Sequence, residues 1–205
     1  MPSDTRQRLI ETATARFYRD GFRNVGLDSV LDDVGISKTA FYKHFQSKDD
    51  LMLAVLQQQS DWLRNHFIEV IRAHGGASAA GQLRALFDAV GQIIESDGFH
   101  GCIFVNAAME FPLPHEPAHQ AAAANKAEIE RLVHDIAERA GASDPAGLAR
   151  ELCLIMEGAY ITRQVTGRPD TIDVARRVAE RVIQAYLSEK EKPRPVRRKL
   201  GSGCG

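Results

Sequence analysis

Apolar residues recur in this chain at intervals of three and four along most of its length, and nowhere alternate with polar ones over a strand-sized stretch. Intervals of three and four gather side chains on one face of an α-helix, whereas alternation would mark a strand. With no strand pattern, the core must be buried between helices, so the predicted class is all-α. The 205 residues suit one large domain or a small one joined to a medium one. At 44% hydrophobic and 26% charged residues, the chain has material for a full core.

Leu9, Ala13 and Phe17 define a first helix near 5–20, which Asp20-Gly21 ends. Leu27, Val30, Leu31 and Val34 mark a short helix over 27–34, broken at Gly35. Ser37 reads as the N-cap of another, 38–44, with Phe41 and Phe45 inward. Ser47-Lys48-Asp49-Asp50 reads as a capping box opening a helix to about residue 73. Beyond it the pattern predicts helices near 79–96, 101–110, 116–140, 145–166 and 171–188. Asp144-Pro145 supplies a cap followed by proline at the start of the fourth of these.

The most informative stretch is 21–51, GFRNVGLDSVLDDVGISKTAFYKHFQSKDDL. Two short helices flank a tight turn at Gly35-Ile36, the spacing of a helix-turn-helix. The second helix presents Lys38, Thr39, Tyr42, Lys43 and His44, all hydrogen-bond donors and none acidic, while Asp28, Asp32 and Asp33 sit on the first. Donors suit phosphates and the edges of bases in the major groove. Lys48 adds a cation beside the next helix's free amides, a place that favours phosphate. The formal net charge of −1 does not itself mark a nucleic-acid binder, so the DNA reading rests on this local placement. By spacing alone, a plain helical hairpin with a solvated polar face fits equally well.

The segment GISKTAFYKHFQSKDDL is similar to the TetR-family signature, in which a Gly-Val-Ser turn leads to Leu-Tyr-x-His-Phe and then Ser-Lys-Glu-x-Leu. The resemblance spans the first four helices, about a quarter of the chain. It implies a DNA-binding transcriptional regulator in which Lys38, Thr39, Tyr42, Lys43 and His44 face DNA, Lys48 meets backbone phosphate, Ser37 caps the recognition helix and Phe45 is core. Two departures stand out. Val25-Gly26 replaces the hydroxyl residue that usually precedes the motif's first helix, and Thr39 stands where the family often has glycine. The segment GCIFVNAAMEF is also similar to a Gly-Cys-Leu-x-x-Asn-x-x-x-Glu stretch of regulators grouped with drug- and electrophile-responsive repressors.

The resemblance implies a homodimer built from the helices near 145–166 and 171–188, a palindromic double-stranded operator, and a small-molecule effector. Phe87, Ile94, Phe104, Phe111, Met156 and Tyr160 are the expected apolar wall of an effector cavity, with Asn106 as a neutral polar group and Cys102 close by. Glu110, Arg163 and Gln164 bring further polar groups to the same helices. Mostly apolar walls with a few polar groups suit a small ligand, though apolar stripes also simply form cores. The effector is expected to be largely hydrophobic, and release of a repressor is the expected mode. Cys102 leaves electrophile or redox sensing as an alternative, with His100 nearby but no Lys or Arg close in sequence.

An enzyme or a protein-binding adaptor are the rival classes. No P-loop, dinucleotide, Gly-x-Ser-x-Gly or HExxH motif occurs, and no cofactor is expected. His115 and His119 have helical metal spacing, but prolines interrupt and no third ligand is evident, so no metal is expected. Cys102, Cys153 and Cys204 form neither a CxxC pair nor a disulfide framework. No apolar run approaches the roughly 20 residues of a membrane span, and the charged start does not read as a signal peptide. The expected location is cytoplasmic. The expected organisation is a DNA-binding domain at 1–46, an effector and dimerisation domain at 47–189, and a disordered basic tail at 190–205.

Overall fold

The computed structural model describes residues 4–188. The tail expected at 190–205, with Cys204, lies outside them. Nine helices occur among the described residues: α1 (Asp4–Asp20), α2 (Leu27–Val34), α3 (Lys38–Phe41), α4 (Lys48–His74), α5 (Ala79–Ile94), α6 (Ile103–Glu110), α7 (Pro117–Ala140), α8 (Pro145–Thr166) and α9 (Thr171–Ser188). The all-α prediction holds, and no strand occurs among those residues.

The helix ends follow from local chemistry. Gly35 closes α2 in the left-handed conformation, φ 74°, and its amide returns to Leu31 and Asp32 carbonyls. Side-chain oxygens of Ser37, Ser47, Ser78 and Asp144 accept from Ala40, Asp50, Gly81 and Gly147 amides respectively, satisfying first-turn donors. Two expectations need correction. The capping box at Ser47 is displaced by one residue: Asp50 accepts from the Gln46 amide rather than reaching back to Ser47. The recognition helix is also shorter than 38–44. After Phe41 the backbone tightens, with Lys43 bonding Ala40 and His44 bonding Phe41, bonds of the 3₁₀ type.

Leu9, Ala13 and Phe17 of α1 pack against Val30, Leu31 and Val34 of α2, Phe41, Phe45 and the start of α4. Phe17 and Phe22 rings meet at 5.1 Å, and Phe41 stacks on Phe45 at 5.7 Å. α5 is the central rod of the larger helical layer and touches α4, α7, α8 and α9. Seven of its apolar side chains are buried, among them Leu83, Leu86, Phe87, Val90 and Ile94. One apolar core runs on from the first helices into this layer, so α4 joins the two parts through packing rather than as a free linker.

The outer side of α8 and α9 is different. Leu154, Ile161 and Val165 of α8 and Val174 and Val178 of α9 are exposed, Leu154 by 74% and Val165 by 77%. Residues 154, 158, 161 and 165 recur at intervals of four and three, so they form one stripe. Gly158 and Thr162 line a groove with Val174 and Val178. Val182, one turn further along, instead packs against the core.

Candidate functional sites

The first site is the surface of the α2–turn–α3 unit. Phe41 is fully buried and Tyr42, next to it, is 58% exposed, its ring edge-on to Phe41 at 5.3 Å. The anchor fixes the position of the tyrosine backbone while the hydroxyl is left outside. Thr39 and Lys43 are exposed, His44 half-buried, and Ser37 is spent on its cap. Lys38 pairs with Asp28 at 2.8 Å. That carboxylate belongs to α2, so the acidic charge is less fully segregated from α3 than the sequence suggests. Both partners are well exposed, and a pair of this kind is weak enough to be exchanged for a phosphate. Arg16 and Asp33 make a bidentate pair at 2.6 and 2.7 Å, which ties α1 to α2.

Lys48, for which the motif implies a phosphate contact, also has partners within the chain. Its ammonium donates to the Phe22 carbonyl at 2.5 Å and lies over the Phe17 ring at 5.7 Å. Burial there lowers its pKa below that of a free lysine. In this conformation it locks the end of α1 to the start of α4.

The second site is a cavity of about 240 Å³. Apolar walls come from Leu63 and Phe67 of α4, Ile93 of α5, Ile103 and Phe104 of α6, Ile129 of α7 and Met156 of α8. Trp62 and His66 stack nearly parallel, 5.3 Å apart, along one side. Thr14 and Tyr18 of α1 complete the wall.

The polar groups converge. The Lys126 ammonium donates to Glu157 at 2.6 Å and to the Cys102 sulfur at 3.2 Å. Burial by itself would lower the pKa of Lys126, but Cys102 and Glu157 outweigh it and raise the net value. Tyr160 is 6% exposed, and its hydroxyl is buried without a hydrogen-bond partner. Burial holds that phenol well above its usual pKa, so it is a neutral donor.

Of the residues expected around an effector, Cys102, Phe104, Met156 and Tyr160 line this cavity. Four others do not. Phe87 faces α9, beside Ala179 and Ile183. Ile94 is core, 1% exposed. Asn106 spends its amide on the His100 carbonyl at 3.0 Å. Phe111 packs edge-on to Phe22 and under the Arg23 guanidinium. The contributions of α1, α4 and α7 were missed, because residues such as Tyr18, Trp62 and Lys126 converge from segments far apart in sequence. His119 bonds the Phe111 carbonyl through a ring nitrogen, and no group of three or more metal-binding side chains occurs among the described residues.

A joint connects the two sites. The Tyr18 hydroxyl donates to the Gly101 carbonyl at 2.7 Å and accepts from the His100 amide at 3.0 Å. At the other end of α6, both Glu110 carboxylate oxygens accept from the Phe22 and Arg23 amides, at 2.9 and 2.7 Å. Gly101 has φ 88°, which other residues rarely adopt, and the end of the Gln164 side chain rests against it. Segment 100–110 is thus tied at both ends to the end of α1, while its middle forms cavity wall.

Comparison with known proteins agrees with this architecture. Residues 9–55 match the profile described as bacterial regulatory proteins, tetR family, and 79–179 match that of the tetracyclin repressor-like C-terminal domain. The HTH-type transcriptional regulator YjdC of Escherichia coli is 24% identical over 183 residues, covering 87% of this chain and 93% of that protein. The HTH-type transcriptional activator FasR of Mycolicibacterium smegmatis is 35% identical over 98 residues, 47% of this chain and 44% of that protein. Among solved structures, the TetR-family regulator SCO4454 from Streptomyces coelicolor superposes with a TM-score of 0.84 at 29% identity, covering 90% and 97% of the two chains. Reduced NemR of E. coli shares the fold, with a TM-score of 0.76 at 20% identity and coverage of 87% and 97%. Matched at both its DNA-binding and its C-terminal portions, this chain belongs to the TetR family of transcriptional regulators and is a regulator rather than an enzyme.

Proposed function

We propose that this regulator is a cytoplasmic dimeric repressor, released from a palindromic operator by a small, largely hydrophobic effector bound in the α1–α4–α8 cavity. The observation that carries the proposal is Tyr18. It is at once cavity wall and part of the last turn of the helix on which α2 packs, and α2 in turn carries α3. An effector that displaces Tyr18 or segment 101–104 strains the bonds holding the end of α1. Its binding energy then differs between DNA-competent and released states, which linkage requires of any allosteric ligand.

Tyr42, Lys43, Thr39, His44 and Lys38 form the proposed DNA face, with the capped start of α3 at Ser37. Lys48 spends one of its three N–H groups on the Phe22 carbonyl, and in this scheme the others meet phosphate. The apolar stripe of α8 and α9 is the proposed dimer face. It sets two recognition units at the roughly 34–36 Å that matches successive major grooves. The domain division proposed is 1–46 for DNA and 47–189 for effector and dimer. Repression is the proposed mode, with the effector-free dimer on the operator. FasR, by its name, is an activator, so a reporter fused to the operator decides the sign.

A second reading is favoured by Lys126. An ammonium 3.2 Å from the Cys102 sulfur suits covalent sensing. The thiol would add across an electron-poor C=C, forming an S–C bond, with its proton passing to the neighbouring carbon. Cys153 is a poor candidate, since burial pushes its pKa to about 12. The two readings part at Cys102→Ser, which abolishes release only if sensing is covalent.

Three further outcomes are expected. Tyr42→Ala and Lys43→Ala should each weaken binding to the chain's own upstream DNA, by about 1–3 kcal/mol where the contact reads a base, with thermal unfolding unchanged. Anisotropy titrations showing parental affinity would remove that residue from the DNA face. Leu154→Lys or Val178→Asp should convert a dimer to monomers in sedimentation and abolish operator binding, because an unpaired charge in an apolar interface is costly. A monomeric parent sinks the assembly. Glu110→Gln replaces one of two accepting oxygens and should leave effector affinity near parental while DNA release falls. The coupling at stake is of the order of 1–3 kcal/mol. Full release by this variant would show that the joint does not carry the signal.

A further inference from the structure

The polar groups of the cavity restrict the effector's chemistry beyond "hydrophobic", on the reading that the cavity is the effector site. Glu157 and Tyr160 are three residues apart on α8 and therefore share a face. Lys126 joins them from α7 through its bond to Glu157. At this end of the cavity the charges are already matched: one ammonium against one carboxylate, 2.6 Å apart. A ligand carboxylate would have to compete with Glu157 for Lys126, and a ligand cation would compete with Lys126 for Glu157. Either would leave one of these part-buried charges without its full partner, a cost that a neutral ligand does not meet.

What is left unsatisfied is a donor. The Tyr160 hydroxyl is buried and has no partner, and a desolvated donor of this kind gains from any acceptor brought to it. Lys126 has three N–H groups and two acceptors, the Glu157 carboxylate and the Cys102 sulfur. Both groups seek an acceptor, and neither needs another donor. An alcohol or amine would bring a hydrogen of its own to be satisfied; a carbonyl brings lone pairs only. The remaining walls are mainly aliphatic and aromatic, with the flat Trp62–His66 stack along one side and the polar side chains of Thr14, Gln59, Gln92 and Ser96 among them. The volume of about 240 Å³ is below the ~300–1,000 Å³ of drug-sized sites. We infer that the effector is a small, neutral cyclic or aromatic carbonyl compound whose oxygen accepts from the Tyr160 hydroxyl and the Lys126 ammonium.

Trp62 is the chain's single tryptophan and lines the cavity, so its emission reports occupancy directly. The test uses three probes on one skeleton: 1-tetralone, tetralin and 1,2,3,4-tetrahydro-1-naphthoate. Each is titrated into the full chain and into Tyr160→Phe, following Trp62 emission and, in parallel, titration heat. The expected order in the parent is ketone tightest, hydrocarbon about tenfold weaker, and carboxylate weakest. In Tyr160→Phe the ketone should lose most of its tenfold advantage while tetralin binds as before. Ketone and hydrocarbon binding equally in the parent would overturn the carbonyl inference yet leave a hydrophobic effector site standing. The carboxylate binding tightest would overturn it in favour of an anionic effector. An unchanged ketone preference in Tyr160→Phe would remove Tyr160 from the recognition. No binding by any probe would overturn both the inference and the cavity as the effector site. Mass spectrometry of the tetralone complex should show unmodified protein, and a covalent adduct on Cys102 would overturn the reversible hydrogen-bonded mode.

Discussion

The four hydrogen bonds between segment 100–110 and the end of α1 are the constraint on which the rest of the molecule turns. Two are made by the Tyr18 hydroxyl and two by the Glu110 carboxylate. They take up backbone groups just beyond the end of α1 and in the loop before α6. Without them, the DNA-binding unit would be held to the larger helical layer by the packing of α4 and by the contacts of Phe22 and Arg23 with Phe111. With them, the end of α1 has fixed partners at both ends of α6. The arrangement is stiff where the recognition unit is carried and interruptible at the cavity.

The cavity shows how polar groups can be placed inside a helical layer without destabilising it. Lys126 is half-buried among apolar neighbours, yet its ammonium has a carboxylate and a thiol within bonding distance. The pair adds little to net stability, since desolvation offsets most of the attraction. Its value is in geometry: it holds α7 against α8 and fixes where a polar atom entering the cavity can be received. Tyr160 is the exception, a phenol whose ring packs against Phe99 and whose hydroxyl is unsatisfied. Unpaired buried donors are uncommon in folded proteins, and one beside a cavity is best understood as a group awaiting its partner.

Much of this was legible in the sequence. The helices, the Gly35 turn and the Ser37 cap follow from local rules, because short-range backbone chemistry decides them. Phe41 inward and Tyr42 outward follow from helical spacing. The cavity was legible only in part. Cys102, Phe104, Met156 and Tyr160 could be chosen because their helices carry apolar faces next to a Gly- and Pro-punctuated segment. Phe87 and Ile94 have the same signature and yet pack into the core, since periodicity shows which face is buried but not what it is buried against. Lys126 lies in an alanine-rich stretch with nothing nearby to mark it, and its meeting with Cys102 spans 24 residues. Lys48 shows a further gap: the motif places the residue, while the Phe22 carbonyl decides where its ammonium rests in the free protein.

α8 is apolar on opposite sides. Met156 and the Tyr160 ring face the cavity, and Leu154, Ile161 and Val165 are exposed on the other side. In the proposed dimer, the helix that senses occupancy in one subunit would also be the helix that leans on its partner. A small roll of α8 around a bound molecule would then be passed across the two-fold axis before it reached any DNA. Filling the first cavity would reshape the second, so the dose–response curve of gene expression would be steeper than a single independent site permits. Substitutions along α8 would for the same reason alter threshold and steepness together, whichever side of the helix they fall on.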